Sequence, residues 1–330
     1  MSYSATDQDS DSSKPKGQIR QDLGSRGVCN AFALLGGEPA RASRKELEPA
    51  SFLAITQYRN RAETMKSTMV DCGKLIRLKR LLNPRTNKGV IVAFDHGLML
   101  GPIAGTSPPR ERLQLFLDAG VDAILLSLGL LRRSVDLFAG RRVGIILRLD
   151  WTNQWRESSM LGFDEGRTSA LAAVEDAVRL GADAVLTYMF VGLDDAAAEA
   201  KEVHRNAEVN RACERFGMVH IIESMARGRR VDQPNRKDLV AFHTRVAGEL
   251  GADLIKTDIL PNEQDTAEIV STSLVPILLA GGPKGEESGV LDLVHRLVRA
   301  GASGIIFGRN VFQSTDPAAF LHAARAAVHE

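Results

Sequence analysis

The stretch "SALAAVEDAVRLGADAVLTYMFVG", residues 169–192, decides the fold. Its first half places apolar residues at helical spacing. Its second half is an almost continuous apolar run, as expected of a strand covered on both faces. Gly181 stands between them and suits the left-handed turn that ends a helix, and the small residue after it permits a tight entry into the strand. The same junction recurs as "AGVDA" from residue 119, "LGADL" from 250 and "AGASG" from 300.

Working outward from these junctions, apolar runs appear at 89–96 (GVIVAFDH), 122–131 (DAILLSLGLL), 143–151 (VGIILRLDW), 183–192, 219–227 (VHIIESMAR), 253–260 (DLIKTDIL), 275–282 (VPILLAGG) and 302–310 (ASGIIFGRN). Amphipathic stretches such as "NRKDLVAFHTRVAGELG" and "GVLDLVHRLVRAG" separate several of them. Eight strands with intervening helices in about 240 residues is the count of an α/β protein of the (β/α)8 TIM-barrel class. A doubly wound open sheet is the alternative, but it usually carries a glycine-rich nucleotide turn after its first strand, and "FDHGLMLGPIAG" is not G-x-G-x-x-G.

The remainder of the chain sets the context. With 44% apolar and 25% charged residues it has the composition of an ordinary globular protein, and its net charge of +1 offers no general basic field for nucleic acid. Cys29, Cys72 and Cys213 are few, widely spaced and without metal-ligand spacing, so free thiols in a reducing, cytoplasmic setting are expected. No apolar run approaches the roughly 20 residues that span a bilayer. Residues 1–25 are too polar to repay the entropy of ordering, and 26–65 show no strand–helix alternation. We therefore expect a largely disordered extension over 1–68, either a regulatory or oligomerisation arm or a dispensable one, followed by a barrel domain over 69–330.

In a barrel, chemistry sits at the C-terminal ends of the strands. Those ends carry Asp95 and His96, Asp150 and Trp151, Tyr188 and Phe190, Glu223 and Arg227, Lys256 and Asp258, then "AGGPK" and "GRN". Lys256 interrupts a strand whose neighbours Leu254, Ile255 and Ile259 are apolar. Desolvation there favours a neutral amine able to attack a carbonyl and form a Schiff base; the alternative is a lysine satisfied by Asp258 or Asp95. Asp95 reads as an acid–base group moving a hydroxyl proton or as a turn cap before Gly97, and His96 as a substrate contact or a packed ring. "LAGGPKG" and "FGRNVFQ" put Gly281, Gly282 and Gly308 where backbone N–H groups can approach an anion, with Lys284 and Arg309 adding charge. Both lie where barrels frequently hold a phosphate, against the plainer reading of a turn and a surface ion pair.

These motifs, "VAFDHGLMLGPIAG", "ADLIKTDI", "VPILLAGGPK" and "GASGIIFGRNVFQ", resemble the archaeal-type class I fructose-bisphosphate aldolases and their relatives. Those relatives include the aminodeoxy-heptulosonate synthases and the thiolase that processes the phosphorylated autoinducer-2 signal. The resemblance runs over about residues 70–328, four motifs in one order. It implies Lys256 as Schiff-base lysine, Asp95 as acid–base residue, and a phosphate cradle of Gly281, Gly282, Gly308 and Arg309. It further implies a phosphorylated small-molecule substrate, no metal or organic cofactor, and a homo-oligomer. One segment departs from the family pattern. Where the aldolases carry an aromatic-Ser-Tyr-Pro-Arg-Gly segment, this chain reads "ESMARG", so that Met225 replaces the proton-transferring tyrosine and Glu223 the aromatic residue, while Arg227 is kept. Either Glu223 takes over with its pKa raised by burial, or it is a carboxylate paired with Arg227 or Lys256, or the reaction itself differs. Asp150 and Trp151 are expected near the second substrate. The Tyr188–Phe190 face is expected either at the site or towards the helices.

Overall fold

In the computed structural model, residues 72–260 and 262–330 are described, so the expected extension over 1–68 lies outside them. Eight parallel strands close a barrel in the order β1 (Gly89–Ala93), β10 (Gly304–Phe307), β9 (Ile277–Ala280), β8 (Leu254–Thr257), β7 (Val219–Ala226), β6 (Ala184–Val191), β3 (Gly144–Arg148) and β2 (Ala123–Leu126). This is the expected TIM barrel, with helices on its outer face. They are α3 (Pro109–Asp118), α4 (Leu128–Ser134), α5 (Val174–Arg179), α6 (Ala196–Phe216), α7 (Lys237–Glu249), α8 (Glu263–Thr272), α9 (Glu287–Arg299) and α11 (Pro317–His329). Among the described residues no helix is long and apolar enough to cross a membrane.

The turn reading holds in detail. Gly120, Gly181, Gly251 and Gly301 all have positive φ, which an L side chain adopts only under strain. After the first three of these, the aspartate two residues on has a task that the spacing alone did not disclose. Asp122 accepts from the Val90 amide at 2.8 Å, Asp183 from Ile145 at 3.1 Å, and Asp253 from His220 at 2.8 Å. Each carboxylate latches the start of its own strand to the start of a neighbour. These latches satisfy amides that would otherwise be buried without a partner.

Two apolar layers support the barrel. Outside it, strand side chains such as Val90, Leu126 and Phe307 pack with Phe116, Leu297 and Phe320 of the helices. Inside it, Ile91, Leu125, Ile146, Leu186, Ile221, Leu254 and Ile306 fill the lower levels, and Leu81 and Leu82, at the end of α1 (Cys72–Leu81), stop the floor. Full burial of each such side chain stabilises by roughly 1.5–3 kcal/mol.

Two segments depart from the expected boundaries. The first strand ends at Ala93 because Asp95 and His96 turn into the short α2 (Gly97–Leu100). The helix expected from residue 169 begins at Val174, because Thr168–Ala170 (β5) pair antiparallel with Asp150–Thr152 (β4). This hairpin follows β3 at the C-terminal rim. Its loop carries Glu165, whose Oε1 accepts from the amides of Asp194 after β6, at 2.8 Å, and of Arg229 after β7, at 3.4 Å. One carboxylate thus ties the hairpin to two other rim loops.

Candidate active site

The register of β6, β7 and β8 places Tyr188, Glu223 and Lys256 side by side, two residues above the apolar level of Leu186, Ile221 and Leu254. Period-two alternation then sends all three side chains to the same face. Lys256 is 6% exposed, and its Nζ lies 2.6 Å from Glu223 Oε1. The amine is therefore neither unpartnered nor satisfied by Asp258 or Asp95. Asp258 is held instead by both arms of Arg227, at 2.8 and 2.9 Å. The same contact removes Arg227 as a partner for Glu223.

Arg148, on β3, organises the centre, and sequence reasoning missed it. It is 1% exposed and donates from Nε to Asp95 Oδ2 at 2.7 Å and from Nη2 to Glu223 Oε2 at 2.5 Å, with Asp150 Oδ1 at 3.5 Å from Nη1. Its guanidinium also lies 3.8 Å from the centre of the Tyr188 ring. A chain of contacts runs Asp95, Arg148, Glu223, Lys256. The signal that exposes Lys256 in the sequence, a cation inside an apolar run, is equally present in "GIILRL".

These contacts set the protonation states. Burial works to raise the carboxyl pKa of Glu223, but Lys256 and Arg148 outweigh it and hold the group below its ordinary value. This corrects the expectation that burial would turn Glu223 into a neutral acid. Asp95 is likewise depressed: burial opposes ionisation, and Arg148, His96 and Lys256 overcome it. Burial dominates at Asp150, whose pKa is pushed up to about 6 despite Arg148 and Arg205. Fully buried, Asp150 accepts from the Tyr188 amide at 2.8 Å, so its carboxylate is engaged by the backbone of the neighbouring strand.

Tyr188 and Phe190 face the site rather than the helices. Their rings stack 5.1 Å apart, and Trp155 from the hairpin loop packs against both. They form one cluster with Met99, Met225 and Ala280, against which Trp151 also packs.

On the other side of Lys256, beyond β9, lie the glycines. Gly282 has φ +62 and faces open space, while a Cβ on Gly308 would come within 2.2 Å of the His96 ring. That ring stands edge-on to Phe312 with Nδ1 3.6 Å from Asp95 Oδ1, and burial pushes its pKa down to about 4, so it is neutral at pH 7. Asn310 staples the two glycine loops, donating to the Gly281 carbonyl at 2.6 Å and accepting from the Gly285 amide at 2.8 Å. The amides of Gly308, Arg309 and Asn310 open the short α10 (Arg309–Phe312) and have no acceptor within it. Lys284 is tied to the Gln313 carbonyl at 2.5 Å. Arg309, by contrast, has no carboxylate within 4 Å among the described residues, and its buried Nε has no hydrogen-bond partner. The alternative of a surface ion pair is not seen for Arg309 among the described residues, and the geometry offers an anion a guanidinium beside the open amides at the start of α10.

The chain is similar to known proteins over most of the barrel. A family profile described as "DeoC/LacD family aldolase" matches residues 89–314. A 3-hydroxy-5-phosphonooxypentane-2,4-dione thiolase of Yersinia pestis is 34% identical over 82% of this chain and 88% of its own length. A 2-amino-4,5-dihydroxy-6-oxo-7-(phosphonooxy)heptanoate synthase of Streptomyces griseus is 32% identical over 77% of this chain and 89% of its own. Among solved structures, an archaeal fructose-1,6-bisphosphate aldolase, described with its catalytic lysine covalently bound to the carbinolamine intermediate of its substrate, superposes with TM-score 0.68. It is 30% identical, covering 78% of this chain and 100% of its own. With the barrel and the matched profile in agreement, the chain belongs to the DeoC/LacD family of aldolases.

Proposed function

We propose that this protein is a class I aldolase that forms or cleaves a carbon–carbon bond in a phosphorylated keto compound through an imine on Lys256. The observation that carries the reading is the buried pairing of the Lys256 amine with Glu223, itself held by Arg148, at the mouth end of the barrel. Glu223 accepts the ammonium proton and the freed amine attacks the substrate carbonyl. The same proton, returned to the carbinolamine oxygen, lets it depart as water and leaves a protonated imine. Asp95 then takes the hydroxyl proton of the scissile alcohol. The electrons of the breaking C–C bond flow into the imine, giving an enamine and a released aldehyde. Protonation at carbon and hydrolysis of the imine free the second product and regenerate Lys256. The glycine loops and Arg309 hold the substrate phosphate in this scheme, and His96, neutral and packed over Gly308, borders it.

Acyl or ketol transfer on a phosphorylated keto compound is the second reading. It is favoured by Met225, which has no transferable proton, and by the likeness to the Yersinia thiolase. Both readings share the imine, whereas a barrel that only binds sugar phosphates does not.

Borohydride trapping with dihydroxyacetone phosphate and a panel of ketose phosphates, read by peptide mapping, tests the proposal. The expected result is a ligand-dependent adduct on Lys256 that is absent from Lys256→Met, which also loses turnover with its fold retained. Phosphate-ligand binding without any adduct would favour the binding-only barrel. Arg309→Ala is expected to weaken phosphorylated ligands by about 1.5–3 kcal/mol, the worth of a charged hydrogen bond, and their unphosphorylated analogues little. Equal losses by calorimetry would argue against the cradle.

A further inference from the structure

Behind the barrel floor, at the end of the strands opposite Lys256, lies a cavity of about 390 Å³. It is bordered by the last turn of α1 and the loop after it, the turn before β2, the start of β3, and α11. Such a volume is within the range of small-molecule sites. Its charged lining is almost of one sign. Lys79, Arg80, Arg85, Arg142 and Arg325 border it, and Asp122 is the one acid among the described residues that do.

That acid is already engaged. Asp122 accepts from the Val90 amide at 2.8 Å, lies 3.0 Å from His329 Nε2, and stands 3.6 Å from Arg325 Nη1. Asp183, behind the lining, holds Arg80 at 3.1 Å, and Lys79 reaches only the neutral side-chain oxygen of Asn87, at 2.5 Å. The guanidinium groups of Arg85 and Arg142, both exposed, have no hydrogen bond or ion pair among the described residues. The loop carrying Arg85 is nonetheless fixed. Asn83 Oδ1 accepts from the Arg85 amide at 3.0 Å, and the Asn83 amide donates to the Lys88 carbonyl at 2.8 Å.

We infer that this cavity binds a small polyanion with a phosphate chain of two or more phosphoryl groups. Like charges around a concavity focus a positive potential into it, and a bound anion relieves their mutual repulsion. Guanidinium groups pair two N–H donors with phosphate oxygens. A lone phosphate is too small to meet cations supplied by four separate segments, whereas a phosphate chain can. The apolar lining of Leu82, Pro84, Val121 and Val143 offers a surface to a ring, so the chain can be inorganic or carried by a nucleoside. The site is independent of the imine reading.

Inorganic triphosphate, titrated calorimetrically without divalent cations into the full-length chain, tests this. Binding is expected in the wild type and in Arg309→Ala, which lacks the guanidinium at the mouth. The double variant Arg85→Gln, Arg142→Gln should weaken it at least about tenfold, the worth of a charge-assisted hydrogen bond. Both side chains are exposed and unpaired, so its thermal unfolding should match the wild type. The charge-matched double variant Arg179→Gln, Arg215→Gln, outside the cavity, should change binding by less than about twofold. Adenosine triphosphate identifies the carrier: binding about tenfold tighter than triphosphate assigns a nucleotide, and equal binding assigns the phosphate chain alone, both in support of the site. No binding at about 1 mM triphosphate, binding lost in Arg309→Ala, or equal effects of the two double variants would overturn the inference.

Discussion

Arg148 is the residue on which the centre turns. Taking a guanidinium and its carboxylates out of water is repaid only while every partner stays in place, and removing one member of such a group costs about 3–5 kcal/mol. Arg148→Met is accordingly expected to destabilise the protein by about that amount in urea unfolding. Arg148→Lys should recover only part of it, because an ammonium does not reproduce the planar fork that spans Asp95 and Glu223. A loss below about 1 kcal/mol for the methionine variant would mean that the carboxylates find other partners. Lys256, Asp95 and Glu223 were each legible as residues in the sequence, because a polar group at the end of an apolar strand is conspicuous. Their pairing was not. Whether Lys256 meets Glu223, Asp258 or Asp95 depends on strand register and side-chain direction, which one chain's pattern does not encode.

At the scale of elements, the hairpin of β4 and β5 was the feature least visible beforehand. Its strands have three residues each, too few for a period to register, and "TSA" continues smoothly into a helical pattern. The eight barrel strands were legible because each is a buried apolar run closed by a turn, and their overlong expected ends, at 94–96 and 127–131, are where the chain bends into α2 and α4. Glu165 is what ties the hairpin loop to the loops after β6 and β7. Glu165→Ala is expected to raise hydrogen exchange at Asp194 and Arg229, whose amides it accepts, and to raise KM more than it lowers kcat, since the Lys256 contacts lie elsewhere. Unchanged exchange at both amides would show that the loops are held by other contacts.

For the whole molecule, stability depends on pH through two opposed sets of groups. Asp95 and Glu223 have depressed folded pKa values, so their contribution is present above the unfolded carboxyl range near about 4 and is lost as pH falls through the folded values. Asp150 has the opposite sign: its folded pKa of about 6 exceeds the unfolded one, so its contribution is full at low pH and is lost as pH rises through 6. Between pH 7 and pH 5 the stability of the wild type relative to Asp150→Asn is therefore expected to increase, by about 1 kcal/mol, in paired denaturant titrations. A gap that stays flat or narrows would contradict the assignment. The stoppered floor has a separate consequence. With Leu81 and Leu82 below and apolar levels filled above them, the described residues leave Lys256 the rim end as its way to solvent. For a reaction on that lysine, both partners and both products share one doorway. In the proposed cleavage the aldehyde must clear that passage before the fragment held on Lys256 can follow it, so the two products leave in a fixed order, and the aldehyde should inhibit noncompetitively, the second product competitively, against the substrate.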